Sequence, residues 1–114
     1  MREIVNIHGK EYETVASRLA RFRKDNPGWG VTTKLVHQDE RHIIMRALII
    51  KHDGDDSILI ATGHAEEVRG STQINRTSAL ENCESSAIGR ALAAAGYDQT
   101  NSIATADEVQ NAIL

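Results

Sequence analysis

Few residues in this sequence have the types and spacing that covalent catalysis requires. His64-Ala65-Glu66 has the His-x-Glu spacing of zinc deaminases, but that chemistry also needs a downstream Pro-Cys-x-x-Cys, and the chain has one cysteine and one proline. Glu81 and Glu84 are one helical turn apart and could form a carboxylate pair, although capping explains Glu81 better. The five histidines show no metal-ligand spacing on one helix face. We therefore expect no enzymatic activity and no metal site.

Phosphate-binding loops are also missing from the sequence. The eight glycines are scattered, and no Gly-Lys-Ser or Gly-Lys-Thr occurs. We therefore expect no nucleotide cofactor and no other cofactor.

The remaining chemistry is that of cations that could hold phosphates. The net charge is −3, which argues against a general polyanion binder. Residues 1–57 carry most of the basic groups, so a basic surface would be a local stripe from that half. Arg46 is the most informative cation, because a cation within an apolar strand is costly to bury unpaired; the alternative is that it pairs with Glu66.

The periodicity of the chain predicts how these cations are positioned. An apolar 3.6-residue pattern predicts a helix over 10–24, with Arg18, Arg21 and Lys24 on a solvated face. Alternating patterns predict three strands over 29–37, 41–52 and 57–67, and Asp53-Gly54 favours a hairpin turn. The stretch 68–77 has the composition of a loop. The predicted class is α+β: a helix, a three-stranded antiparallel β-meander, a long helix packed on the sheet and a short C-terminal helix.

The segment 77–97, TSALENCESSAIGRALAAAGY, is the most informative part of the sequence. Ser78 and Glu81 have capping-box spacing, and Gly96 suits the C-terminal end of the helix. One helix face carries small residues that permit close packing on a sheet: Ala79, Cys83, Ala87, Ala91 and Ala95. The opposite face is short and uncharged apart from Arg90, which suits close approach by a subunit or a nucleic-acid strand; an ordinary packed helix is the alternative.

This segment resembles a known family. The run Ala87-Ile88-Gly89-Arg90-Ala91-Leu92, followed by Gly96, is similar to the signature helix of the Rad-fifty-two superfamily of single-strand annealing proteins, nearest the phage recombinases of the Erf and RecT/Redβ types. Tyr12, Val15, Trp29 and Gly63 occur in the same order as in that superfamily, so the resemblance covers roughly residues 10–98.

The resemblance implies a β-β-β-α core that assembles into a ring or filament and holds single-stranded DNA in a basic groove. It implies annealing of complementary strands in recombination or repair, in the cytoplasm of a bacterial host. Arg90 occupies the most persistent basic position of the signature helix, whereas Gly89 and Ala93 stand where eukaryotic members have further basic residues. The predicted DNA contacts are Arg90, Arg46, Lys34, Arg41 and Lys51.

Two other functions are compatible with the sequence. One is a protein that coats single-stranded DNA without annealing it, and the other is an interaction module that binds no nucleic acid. Aromatic residues make up 4% of the chain, too few for a base-stacking platform. We expect one domain over residues 1–114, a reducing compartment because Cys83 is the only cysteine, and no membrane segment.

Overall fold

The protein has an α+β architecture in which one long helix covers one side of a three-stranded sheet. The structure, a computed structural model, describes residues 2–7 and 9–98. The helix expected over 105–114 therefore lies outside the described residues. In chain order the elements are β1 (Ile4–Ile7), β2 (Lys10–Glu13), α1 (Val15–Asp25), β3 (Gly30–Gln38), β4 (His42–Asp53), β5 (Asp56–Val68), α2 (Gln73–Thr77) and α3 (Ala79–Ala94).

The main sheet is the predicted meander, with strand order β3-β4-β5 and antiparallel pairing throughout. Gly54 forms the β4–β5 turn at a φ of 62°, the positive value for which the Asp-Gly pair was predicted. The register shifts at one point in each strand pair, where Val36 of β3 and Ile60 of β5 are the extra residues. These irregularities lie on the two edge strands, where β-bulges commonly occur.

Alternation along β4 separates the two sides of the sheet. Ile43, Met45, Ala47 and Ile49 are buried, whereas the residues between them are half-buried. The buried side packs against the small-residue face of α3, where Ala79, Cys83, Ala87 and Ala91 are buried. The prediction of a small-residue helix face packed on a sheet is confirmed.

Gly63 of β5 lies directly under α3. A Cβ atom at this position would be 2.3 Å from the backbone nitrogen of Ala91 and 2.5 Å from the carbonyl oxygen of Ala87. Only a residue without a side chain permits this contact between strand and helix. The position of Gly63 therefore fixes how closely α3 can approach the sheet.

The first helix is shorter than the sequence pattern predicts. Lys10–Glu13 is a strand that pairs with Ile4–Ile7, because a turn containing Gly9 at a φ of 80° reverses the chain before the helix begins. The Thr14 side chain accepts a hydrogen bond from the Ser17 backbone nitrogen and so caps α1. The prediction of a helix from residue 10 was wrong because the apolar spacing of Tyr12 also fits this short hairpin.

The loop expected over 68–77 contains the helix α2, and this helix changes how α3 begins. The Ser78 backbone nitrogen donates to the Ile74 carbonyl within α2, at 2.8 Å, and the Ser78 side chain makes no capping bond. The predicted capping box with Glu81 was therefore wrong. At the other end of α3, Gly96 has a φ of 100°, as expected for a helix-terminating glycine.

Arg18 and Arg21 of α1 are structural rather than solvated, which corrects the expectation for that face. Arg18 is 2% exposed, and its Nη1 donates to the Gly89 carbonyl at 3.0 Å and to the Tyr97 carbonyl at 2.9 Å. Arg21 pairs with the buried carboxylate of Glu13 at 2.8 Å. Both arginines thereby attach α1 to its neighbours, and Lys24 alone of the three expected cations is exposed.

The aromatic residues consolidate the junction between α1, the start of β3 and the end of α3. The Phe22 ring is fully buried and meets Trp29 and Tyr97 edge-on, with centroid distances of 6.1 and 5.6 Å. Trp29 is therefore partly buried against the core. Within residues 2–7 and 9–98, no helix combines the length and hydropathy needed to cross a membrane.

Candidate nucleic-acid interface

The side of the main sheet opposite α3 is uncovered by any other described element, and we call it the open face. Its members follow from the strand register, since directly opposed residues point to the same side. They are Gly30, Thr32, Lys34 and His37 of β3, His42, Ile44, Arg46, Leu48, Ile50 and His52 of β4, and Ser57, Leu59, Thr62, His64, Glu66 and Val68 of β5.

A row of basic side chains crosses the middle of the open face. Arg46 stands opposite Lys34 on one neighbouring strand and opposite His64 on the other. We call Lys34, Arg46 and His64 the cross-strand row. Because adjacent strands are about 4.8 Å apart, the row spans about 10 Å at the backbone.

Arg46 has no charge partner in the described part of the chain. Its Nε is buried and makes no hydrogen bond to any described residue. The alternative pairing with Glu66 is not formed, although Glu66 lies on the same face opposite Ile44. Two cations placed directly opposite each other destabilise a sheet. The Lys34–Arg46 pair is therefore a cost to the fold that an anionic ligand would relieve.

The neighbours of Arg46 along its own strand on the open face are apolar. Ile44 and Leu48 flank Arg46 on the open face and are half-buried. Low-dielectric walls strengthen the attraction between a cation and an anion that docks against it. The row therefore combines exposed charge with an environment that favours binding of phosphate groups.

The other predicted contacts lie elsewhere and do not join this row. Arg41 and Lys51 stand at opposite ends of β4, ten residues and about 33 Å apart. The Lys51 ammonium is 5.9 Å from the centroid of the Trp29 ring, which holds it at the aromatic junction. Arg41 is exposed in the turn between β3 and β4. A role for either residue in binding nucleic acid stays a prediction.

Arg90 is exposed on α3 and lies on the other side of the sheet from Arg46. It lines a cleft of about 580 Å³ between α1, α3 and β5. A second cation, Arg18, and two acidic residues, Glu67 and Asp98, also line the cleft. The helix α3 therefore faces a cleft of mixed charge and not a continuous basic groove. Arg90 and Arg46 lie on opposite sides of the sheet, so they do not belong to one basic surface.

The short polar face of α3 is also part of this cleft. Ser85, Ser86 and Gly89 line it, and a Cβ atom on Gly89 would be 3.0 Å from Nη2 of Arg18. We expected this face to lie against a subunit or a nucleic-acid strand. Part of it instead packs against α1 of the same chain. The sequence pattern identified the face of short, uncharged side chains but not the element that packs against it.

Buried and clustered groups near the site have shifted pKa values with clear causes. Burial acts to raise the pKa of Glu13, but hydrogen bonds from Arg21, Ser17 and Arg2 outweigh it and lower the pKa to about 2. Hydrogen bonds from His37 and from the Arg41 and His42 backbone nitrogens hold the pKa of Asp39 below its usual range. Burial lowers the pKa of Arg18.

Glu84 and Cys83, two side chains of α3, make contacts within the fold. Glu84 accepts a hydrogen bond from the Thr33 hydroxyl at 2.8 Å and so ties α3 to β3. Burial raises the pKa of the Cys83 thiol, which donates to two backbone carbonyls in the core. In the part of the chain that the structure describes, no three histidine, cysteine, aspartate or glutamate residues are grouped to hold a metal ion.

Sequence reasoning identified Lys34 and Arg46 but missed His64 as their neighbour. His64 was considered only as half of a His-x-Glu motif, whereas its position in the row depends on the β4–β5 register. The alternation that places Arg46 and Glu66 on one side could have suggested it. The exact pairing of β4 with β5 also depends on the bulge beside Ile50, which shifts the register by one residue. No sequence pattern marks that bulge.

A comparison with protein families gives one match. Residues 19–95, about two thirds of the chain, match the family described as Slr1353 N-terminal dsRNA-binding domain-like. No curated protein and no solved structure matches the chain significantly. The match indicates a nucleic-acid-binding domain in general terms. It also shows that the resemblance to the Rad-fifty-two superfamily was wrong, since the shared signature consists of small helix residues that any helix packed closely on a sheet requires.

Proposed function

Because the chain belongs to the Slr1353 N-terminal dsRNA-binding domain-like family, we propose that it binds the sugar-phosphate backbone of double-stranded RNA through its open face. The observation that carries the proposal is the opposed pair Lys34 and Arg46, two cations without a described carboxylate partner. The mechanism is binding alone, in which the cations neutralise phosphates and release counterions, with no catalytic step.

The distribution of aromatic residues favours a duplex over a single strand. All four aromatic side chains lie outside β3, β4 and β5, at Tyr12, Phe22, Trp29 and Tyr97. Proteins that bind single strands generally stack the bases on the rings of phenylalanine, tyrosine and tryptophan, and the open face has none of these three residue types. A duplex presents its phosphates and 2′-hydroxyls outward, and duplex RNA is recognised mainly by shape and by these groups.

The central test measures binding of a labelled RNA duplex of about 20 base pairs, slightly longer than the ~16 that such domains span. Fluorescence anisotropy is compared for wild type and for the double variant Lys34→Gln/Arg46→Gln. We expect affinity to fall by about tenfold, since two phosphate contacts are lost. Circular dichroism checks that the variant remains folded.

A matched control removes the same charge from another surface. Arg23→Gln/Lys24→Gln also lowers the net charge by two, at exposed positions near the end of α1. This variant should bind the duplex within about twofold of wild type, because its cations lie off the open face. Equal losses in the two variants would mean that only overall charge matters and would reject the open face as the site.

Competing substrates test the class of nucleic acid. The same anisotropy experiment uses a DNA duplex and single-stranded DNA of matched sequence and length. Tighter binding of the single strand would contradict the duplex proposal and restore single-stranded DNA as the substrate. If none of the three nucleic acids binds at low salt, the remaining hypothesis is an interaction module that binds no nucleic acid.

Self-association stays a prediction that one surface supports. Ile58, Leu59 and Ile60 are 40–56% exposed in succession on the edge strand β5, where apolar side chains commonly mark contact with another chain. A ring or filament would appear as a native mass several times that of the 12.5 kDa chain. Analytical ultracentrifugation with and without the RNA duplex measures it.

A further inference from the structure

The described histidines share one side of the main sheet. His37, His42, His52 and His64 all belong to the open face, by register or by alternation along β4. The side that packs against α3 contains none of them. An imidazole becomes a cation in mildly acidic solution, so protonation adds positive charge to this surface selectively.

These histidines differ in their partners. His37 lies 2.9 Å and His42 3.5 Å from the carboxylate of Asp39, so the two histidines share one negative partner. His52 is near the hydroxyl of Ser57, at 3.4 Å, at the far end of β4. His64 has no ion-pair partner within the described residues and stands directly opposite Arg46.

From the cross-strand row we infer that His64, in its protonated form, is the third phosphate-binding residue of the open face, so that duplex RNA binds more tightly in mildly acidic solution. This inference rests on the proposed function of the same face. His64 is exposed on the outer strand β5, so a phosphate that contacts Arg46 can reach the imidazole without any movement of the sheet.

The charged groups facing His64 are few. On the open face they are the cations Lys34 and Arg46 and the carboxylate of Glu66, two residues further along β5. The helix α3 packs on the opposite side and places its exposed cation, Arg90, there. A phosphate bound in the row places a negative charge beside the imidazole, and a nearby negative charge favours the protonated form of any imidazole.

The test measures affinity for the RNA duplex by anisotropy from pH 7.5 to about 5.5, the range in which imidazoles usually gain a proton, at constant ionic strength. For wild type we expect affinity to rise by about fivefold across this range, the effect of one added exposed ion contact. The slope of log K against log salt should steepen by about one phosphate contact. In His64→Gln both changes should be lost.

The control His52→Gln removes an imidazole from the same face, six residues from Arg46 and about 20 Å away along β4. It should retain the pH response of wild type. If His64→Gln also retains that response, His64 is not a phosphate contact. The proposed function fails separately, when Lys34→Gln/Arg46→Gln binds the duplex as tightly as wild type at pH 7.5.

Discussion

At the scale of single residues, the cations of this chain divide into those that hold the fold and those that remain available. Arg18 donates hydrogen bonds to two backbone carbonyls, and Arg21 forms an ion pair with Glu13. Lys34 and Arg46 are opposed cations with no described carboxylate between them. Sequence alone does not separate the two groups, because an arginine on a helix face and an arginine in a strand are equally compatible with either role.

Arg18 should be among the most sensitive positions for stability. We expect Arg18→Ala to lower the free energy of unfolding by about 2–4 kcal/mol, because the Gly89 and Tyr97 carbonyls lose their donor and a space opens between α1 and α3. Chemical denaturation with urea measures the change.

The matched control for Arg18 is Arg23→Ala, on the same helix and exposed. It should change the free energy of unfolding by less than about 0.5 kcal/mol. Similar losses for the two variants would contradict a structural role for the Arg18 guanidinium and would point to helix propensity or overall charge instead.

At the scale of elements, the contact between α3 and β5 sets the architecture. The small residues of α3 predicted a close contact with a sheet, and Gly63 is the position on the sheet that receives the helix. The predicted meander and long helix are confirmed, since they depend on alternation and on 3.6-residue periodicity. The β1–β2 hairpin and α2 were missed, because each strand or helix has only four or five residues and leaves too short a pattern to read.

Gly63→Ala tests that contact. A methyl group would meet the α3 backbone at 2.3–2.8 Å, and neither strand nor helix backbone can give way cheaply. We expect a loss of at least about 3 kcal/mol in the free energy of unfolding, or failure to fold. Thermal and urea unfolding followed by circular dichroism measure it.

The neighbouring substitution Thr62→Ala is the control, because Thr62 is exposed on the open face of the same strand. It should cost less than about 1 kcal/mol, the usual range for a surface position in a sheet. A Gly63→Ala protein as stable as this control would show that α3 sits further from β5 than the structure places it.

At the scale of the whole molecule, the net charge does not describe the charge of each surface. The chain carries −3 overall, and the acidic residues Glu67 and Asp98 line the α1–α3–β5 cleft. The middle of the open face has two permanent cations and, beside them, the carboxylate of Glu66. A net acidic protein can therefore still present a local site for a polyanion, provided that most of its carboxylates lie on other surfaces.

The salt dependence of binding should reflect this arrangement. With the two phosphate contacts of Lys34 and Arg46 we expect log K for the RNA duplex to fall with log salt at a slope of about −2 at neutral pH. Titrations from low to moderate salt measure this slope. A value near zero would exclude phosphate binding, whereas a much steeper one would show that surfaces beyond the open face, or several copies of the chain, take part.

The sequence by itself determined the three strands, the long helix, its small-residue face and the shortlist of cations, because these depend on local periodicity and residue type. Tertiary structure alone decided which cations are free. Strand register brought Lys34, Arg46 and His64 into one row, and the packing of α3 placed Arg90 on the opposite side of the sheet. Charge is a property of each residue, but an electrostatic surface is a sum over residues distant in sequence, and only the folded chain fixes that sum.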